Sequence, residues 1–202
     1  VVAFAPQSDL GSDRRWTVDE YMALDDDRRF ELLNGELVMV PSPNIYHQNA
    51  VTQLGRLIDN HVERHDLGHC FDAPLDIVLS EETVLQPDFT YVRAGRIEEL
   101  YDGHGLTGAP DMVVEVLSQS TESRDRHRKR QLYAEAGVQW LLFVEPEGQV
   151  VEVLKLVDEG KYIVETTAAE DDALNFELFP DLEIELADVC FEEPGGEDSD
   201  ES

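Results

Sequence analysis

Positive charge is what this chain has least of. Fifteen Lys and Arg residues stand against 45 Asp and Glu in 202 positions, a formal net charge of −30. Cysteine is nearly as scarce. Cys70 and Cys190 lie far apart and form no Cys-x-x-Cys pair, which excludes a disulfide framework and a zinc knuckle. No apolar run approaches the ~20 residues of a membrane-spanning helix, so no membrane partner is expected. The first residues, Val1-Val2-Ala3-Phe4-Ala5-Pro6, are too few and lack the basic flank of a signal peptide. A cytoplasmic location is the expectation. Also missing are a Gly-x-Ser-x-Gly elbow, a Walker loop and a paired serine–lysine motif, which removes the usual signatures of serine hydrolases and P-loop enzymes.

The acids that replace the missing bases are spread along the chain, as in Asp25-Asp26-Asp27, Glu81-Glu82, Glu98-Glu99 and Glu170-Asp171-Asp172. Such a surface repels itself at low salt. Disorder does not account for it, because periodic apolar segments fill most of the chain. An acidic mimic of nucleic acid is one reading. A halophilic surface is the better one, since screening lengths shrink to ~3 Å in molar salt.

Taken in order, residues 1–15 read as a flexible leader. Thr17 with Glu20 three positions on forms a helix-capping pattern, followed by apolar Tyr21, Met22 and Leu24, then Phe30, Leu32 and Leu33. Asn34-Gly35 marks a tight turn. Residues 37–40 read as a strand that Pro41-Ser42-Pro43 ends. From Asn44, apolar residues at spacings of three and four (Ala50, Val51, Leu54, Leu57, Ile58, Val62) predict a helix to about Asp66, with Gly68 near its end. Short strands are predicted over 69–72, 75–79 and 86–92. Residues 112–117 are almost continuously apolar, the mark of a central strand buried on both faces. A helix over 124–136 stops at Gly137, and 140–144 is another buried strand. Residues 150–157 and 162–166 form a C-terminal β-hairpin around Asp158-Glu159-Gly160, and 182–186 supply an edge strand. Residues 191–202 read as a disordered acidic tail. The predicted class is α/β: one mixed central sheet flanked by helices, in a single domain over 16–190.

Several motifs invite chemistry. Gly103-His104-Gly105-Leu106-Thr107-Gly108 spells Gly-x-Gly-x-x-Gly, but the fingerprint must follow a strand and open a helix. Here Pro110 and a strand follow, so it reads as a connecting loop. His61, His65 and His69 are four apart, a spacing that could present a metal site, but Gly68 ends the helix first and a solvated helix face is preferred. Ser118, Ser120, Thr121 and Ser123 fit turn and capping roles. Arg124, Arg126, Arg128, Lys129 and Arg130 concentrate five of the 15 basic residues in seven positions. In so acidic a chain this patch suggests an anionic partner, a phosphate backbone. The competing reading is a solvated helix face.

Asp88, Glu115 and Lys129 form the sharpest set. A carboxylate within an apolar strand costs several kcal/mol unless something pairs with it. Two carboxylates on neighbouring strands can hold a hard divalent cation such as Mg²⁺ or Mn²⁺. Such a cation polarises a phosphoryl oxygen and acidifies water, and a lysine nearby can orient that water or offset developing charge. The alternative is structural: Asp88 as a turn residue after Pro87, and Glu115 paired with an arginine.

Phe30-Glu31-Leu32-Leu33-Asn34-Gly35-Glu36, Pro41-Ser42-Pro43 with His47, Pro87-Asp88, Val113-Val114-Glu115-Val116-Leu117-Ser118, Asp125 with Lys129, Tyr133, Gly137-Val138 and Glu145-Pro146 together resemble the Uma-two family of restriction-endonuclease-like proteins. That family lies within the PD-(D/E)XK nuclease superfamily. The likeness covers residues 16–190 and rests on order and spacing. It implies a restriction-endonuclease-like fold and Mg²⁺- or Mn²⁺-dependent cleavage of DNA. Asp88 and Glu115 would be metal ligands, with the carbonyl of Val116 as a third, and Lys129 would assist the water. Glu31, expected in an N-terminal helix, would be an accessory acid, and His47 and Asp125 would stand near the site. Arg124, Arg126, Arg128 and Arg130 would meet the nucleic acid. The chain departs from the superfamily at Leu117, where lysine is usual. Lys129, on the face it shares with Asp125, Leu132, Tyr133 and Ala136, would replace it from the next helix. Gln119 for proline and Glu145 for aspartate are smaller departures. Two other functions remain open, a non-catalytic binding or dimerising module and a hydrolase of another phosphate ester. A homodimer suits an enzyme that cuts both strands, although no dimer motif is visible.

Overall fold

The computed structural model of the chain describes residues 14–26, 28–117, 122–158 and 160–190, the side chains of 122–125 excepted. The expected leader lies outside these residues except for Arg14 and Arg15, which are tied down by ion pairs to Glu20 and Glu82. The expected acidic tail lies outside them too, as do Ser118, Ser120 and Thr121.

Helix α1 (Val18–Met22) starts at the predicted cap, with Thr17 and Glu20 closing a capping box. Tyr21 is buried but Met22 is 48% exposed, so the first turn supplies one core residue where two were expected. Strands β1 (Phe30–Leu33) and β2 (Glu36–Met39) form a hairpin. Asn34 and Gly35 both have positive φ, 48° and 79°, which is the turn geometry that an Asn-Gly pair adopts most readily. This corrects the expectation for Glu31: it lies on β1, not on a helix. Helix α2 (Ile45–Arg64) is capped by Asn44, whose side chain accepts the His47 N–H at 2.8 Å.

The remaining strands are β3 (Gly68–Asp72), β4 (Ile77–Ser80), β5 (Thr83–Leu85), β6 (Phe89–Arg93), β7 (Leu106–Thr107), β8 (Met112–Val116), β9 (Trp140–Glu145), β10 (Val150–Asp158), β11 (Lys161–Ala169), β12 (Ala173–Leu174) and β13 (Ile184–Glu185). Helices α3 (Ile97–Leu100), α4 (Glu122–Ala136) and α5 (Leu186–Val189) complete the set. β6 begins at Phe89 and not at Gln86. Pro87 has no N–H for a ladder, while the Asp88 N–H donates to the Val114 carbonyl at 3.0 Å and the Asp88 carbonyl accepts the Ala73 N–H at 3.1 Å.

The strands make two mixed sheets where one was expected. The larger runs β11-β10-β9-β8-β6-β3, and the smaller β2-β1-β5-β4-β7; β12 and β13 pair separately. The predicted 182–186 strand is therefore a two-residue ribbon partner outside the main sheet, and Leu186 opens α5. The predicted C-terminal hairpin is β10–β11, at the edge of the large sheet.

β8 is the buried centre. It pairs antiparallel with β6 and parallel with β9, and all five of its residues are buried. Its alternation splits the core in two. Met112, Val114 and Val116 pack with Ala50, Leu54, Ile58 and Val62 of α2 on one face. Val113 packs with Leu132, Tyr133 and Ala134 of α4 on the other. Glu115 necessarily points to the α4 face, because its neighbours on either side point to α2. On β1, Phe30 and Leu32 join a third cluster with Trp16, Tyr21 and Val84, while Leu33 joins the α4 cluster. Glu31 therefore faces α4 as well. The glycine-rich run is a loop leading through β7: the Asp102 carboxylate accepts the His104 and Gly105 N–H groups, each at 2.9 Å, and no helix follows.

Leu142 of β9 is fully buried in the α2-side core. Leu142→Ala is expected to lower unfolding free energy by about 2–5 kcal/mol, measured by denaturant unfolding at fixed high KCl. A loss under about 1 kcal/mol would mean that this face is loosely packed.

Candidate active site

A cavity of about 720 Å³ opens where β8 ends and β6 begins, walled by the first turns of α2, by β2 and by α4. Glu31, His47, Asp88, Glu115, Val116 and Lys129 all line it. With Arg126, seven of the expected site residues therefore converge from five separate stretches of the chain.

The buried heart is a lysine between two carboxylates. Lys129 Nζ lies 3.0 Å from Glu31 Oε1 and 2.9 Å from Glu115 Oε2. The second Glu115 oxygen accepts the Tyr133 hydroxyl at 2.6 Å, one helical turn beyond Lys129. Glu31 Oε1 also accepts the backbone N–H of Gln86 at 2.9 Å. Burial would lower the Lys129 pKa, but the charges and hydrogen bonds of Glu115 and Glu31 outweigh it and raise it, so the side chain is an ammonium. Burial pushes the Glu115 carboxyl up to about 7; Lys129 opposes this, while Glu31 and Asp88 add to it. Burial likewise raises the Tyr133 hydroxyl, reinforced by Glu115, which keeps it a donor.

Asp88 stands at the more open side. Its Oδ2 accepts the Val116 N–H at 2.7 Å and lies 3.2 Å from His47 Nε2. Among the described residues His47 Nδ1 is buried with no hydrogen-bond partner, so the polar contact of that ring is the one to Asp88.

The basic run behaves differently from expectation. Arg126 bridges Glu145 and Glu152, 2.7 Å each, and stacks on Phe143. Arg128 bonds Glu36 at 2.7 Å and the Leu33 carbonyl at 2.5 Å. Arg130 donates to the Tyr162 carbonyl at 3.0 Å. These three knit α4 to both sheets. Arg124 and Asp125 lie on α4, but their side chains are outside the described residues. The rings of His61 on α2 and His65, its C-cap, lie tilted with centroids 4.6 Å apart, whereas His69 belongs to β3.

Among the described residues, no three His, Cys, Asp or Glu side chains form a ready metal cage. The donor set still fits one kind of ion. Mg²⁺ is ordinarily held by one or two carboxylates, with waters and substrate phosphate completing its octahedron. Asp88 and Glu115 supply two hard oxygen donors facing one cavity, which satisfies that demand.

Two residues with clear structural parts escaped the sequence reading. Helical spacing puts Tyr133 on the Lys129 face, yet nothing in spacing shows its hydroxyl reaching Glu115. Gln86 precedes the Pro87-Asp88 motif and carried no signal at all.

The fold is thus mixed α/β, with an acid–lysine cluster at the end of its central strand. The Uma2 family model, described as "Putative restriction endonuclease", matches residues 18–187. The chain belongs to this family. A solved structure described as "a putative nuclease belonging to DUF820", from Anabaena variabilis ATCC 29413, superposes with a TM-score of 0.66 at 21% identity, over 86% of this chain and 97% of that one. At that identity the likeness concerns the fold. No curated protein matches the chain. Among the described residues no helix is long and apolar enough to cross a membrane.

A carboxyl whose pKa is raised by folding stabilises the fold while protonated. Glu115's contribution is therefore present below its ordinary value of 4.5 and is lost as pH rises through about 7. Carbon-13 NMR of the Glu115 carboxyl should show a midpoint near 7, and Lys129→Met, which removes the opposing cation, should move it higher. A midpoint that stays in the ordinary carboxylate range in both proteins contradicts this electrostatic picture.

Proposed function

We propose that the chain is a divalent-metal-dependent endonuclease that hydrolyses DNA phosphodiester bonds in this cavity. The observation that carries the reading is the convergence of Asp88, Glu115 and Lys129 on one cavity at the end of β8, with Leu117 in the place of the superfamily lysine. Asp88 and Glu115, with the carbonyl of Val116, would hold Mg²⁺ or Mn²⁺. When bound, the ion would polarise a phosphoryl oxygen and make water acidic enough to yield a nucleophile.

The other parts belong to the chain's own residues. Lys129 is held as an ammonium, so it does not take a proton from water; it offers charge and a hydrogen bond where negative charge develops on the phosphate. Glu31 fixes that ammonium from the opposite side, and Tyr133 fixes the Glu115 carboxyl. His47 and the Val116 N–H orient Asp88. Two monomers would serve an enzyme that cuts both strands.

A second reading, a non-catalytic nucleic-acid-binding or dimerising module, is favoured by one observation: Lys129 and Tyr133 already engage both oxygens of Glu115. Plasmid nicking with Mg²⁺ in roughly molar KCl separates the two, since the acidic surface is screened there. Nicking is expected from the wild type and should fall about 100-fold or more in Asp88→Ala and in Lys129→Met, the scale of losing one transition-state partner. Circular dichroism would verify that the variants remain folded. Cleavage that survives both substitutions overturns the assignment. An inert wild type with no Mn²⁺ binding that depends on Asp88 and Glu115 favours the module.

A further inference from the structure

Four cationic side chains, Arg29, Arg56, Arg126 and Lys129, line the cavity beside acids that include Asp59 and Asp72. Lys129 and Arg126 are each neutralised by two carboxylates. Arg29 and Arg56 are not. Among the described residues neither has a carboxylate oxygen within 4.0 Å, the reach of an ion pair. Their partners are neutral amides: Gln86 Oε1 for Arg29, at 3.2 Å from Nε and 3.1 Å from Nη2, and Gln53 Oε1 for Arg56, at 2.6 Å. In a chain of net charge −30, cations in one cavity that keep their charge call for a reason.

The Arg29 contact is built from behind. The Gln86 amide nitrogen donates to Asp76 Oδ1 at 2.8 Å and to the Tyr21 hydroxyl at 3.3 Å. Those bonds turn the amide oxygen toward Arg29. The Gln86 backbone N–H binds Glu31, the acid that holds Lys129. One residue thus sets Arg29 relative to the acid–lysine cluster. An amide oxygen occupies part of the guanidinium fork without cancelling its charge, and the remaining N–H groups can meet a further acceptor. Arg56 stands on α2, nine residues beyond His47, with most of its donors unspent.

In molar salt the screening length is ~3 Å, so attraction over a distance is lost and directed contacts remain. We propose that Arg29 and Arg56 are the phosphate-binding residues of this site, taking phosphodiester oxygens of a nucleic acid strand laid through the cavity beside Asp88 and Glu115. This rests on the nuclease reading for the identity of the anion, but it can stand or fall separately.

The test is anisotropy of a labelled duplex of about 20 base pairs bound to the full chain, with Ca²⁺ replacing Mg²⁺, over a range of KCl. Arg29→Gln and Arg56→Gln should each weaken binding about tenfold and lower the salt slope by about 0.9 per lost phosphate contact. Arg29→Lys should recover part of the affinity. Arg64→Gln makes the same change of charge on an exposed part of α2 that does not line the cavity, and should behave as wild type. A matching RNA duplex shares the phosphodiester, and a specific loss on either duplex supports the proposal. Variants that match Arg64→Gln in affinity and slope overturn it, even if plasmid nicking is normal. A wild type that binds through Arg29 and Arg56 but does not nick overturns the nuclease reading and leaves the phosphate site standing. A wild type that binds no nucleic acid overturns both.

Discussion

Everything at the site depends on one buried ammonium. Lys129 is only 15% exposed and sits between Glu31 and Glu115, which are 6% and 7% exposed. Any one of these charges alone in that place would be unsupportable, and removing a partner from such a cluster typically costs about 3–5 kcal/mol. The cluster also joins three elements that are far apart in sequence: β1 of the small sheet, β8 of the large sheet and α4. It is therefore a joint that holds the walls of the cavity in register.

The rest follows from strand alternation around that joint. Val114 and Val116 must face α2, so Glu115 must face α4; Phe30 and Leu32 must face Trp16 and Tyr21, so Glu31 faces α4 too. The arginines of α4 then have a structural task. Arg126, Arg128 and Arg130 spend their donors on acids and carbonyls of both sheets, which fixes the helix that carries Lys129. A protein with few bases uses most of this run to hold itself together. Among the described residues, the two cavity arginines without a carboxylate partner come from elsewhere, just before β1 and from α2.

Much of this was legible in the sequence because it is local. The Thr17 and Asn44 caps, the Asn34-Gly35 turn, the α2 periodicity and the apolar run of β8 are signals carried by adjacent residues. The acids Asp88 and Glu115 stood out because each lies against an apolar run, Glu115 inside β8 and Asp88 just before β6. What was not legible depends on pairing across the chain. β5 and β7 have three and two residues, too few for a pattern, so the second sheet could not be foreseen. Phe30-Glu31-Leu32-Leu33 is too short to tell helix from strand, which put Glu31 on the wrong element. Sequence shows the charge of the basic run without showing the acids, Glu36, Glu145 and Glu152, that pair with Arg126 and Arg128. The neutral partners of Arg29 and Arg56 were hidden for the same reason.

In the proposed site Asp88 and Glu115 would share one ion while Lys129, reaching in from α4, would supply the cation that Leu117 does not. Anomalous diffraction at the manganese edge, from crystals of the full chain soaked with Mn²⁺ above neutral pH, tests this most directly. A single strong peak is expected in the cavity, touching carboxylate oxygens of both Asp88 and Glu115, with Lys129 still bonded to Glu31. Manganese bound elsewhere, or a cavity that stays metal-free while the Lys129–Glu115 contact is intact, would contradict it.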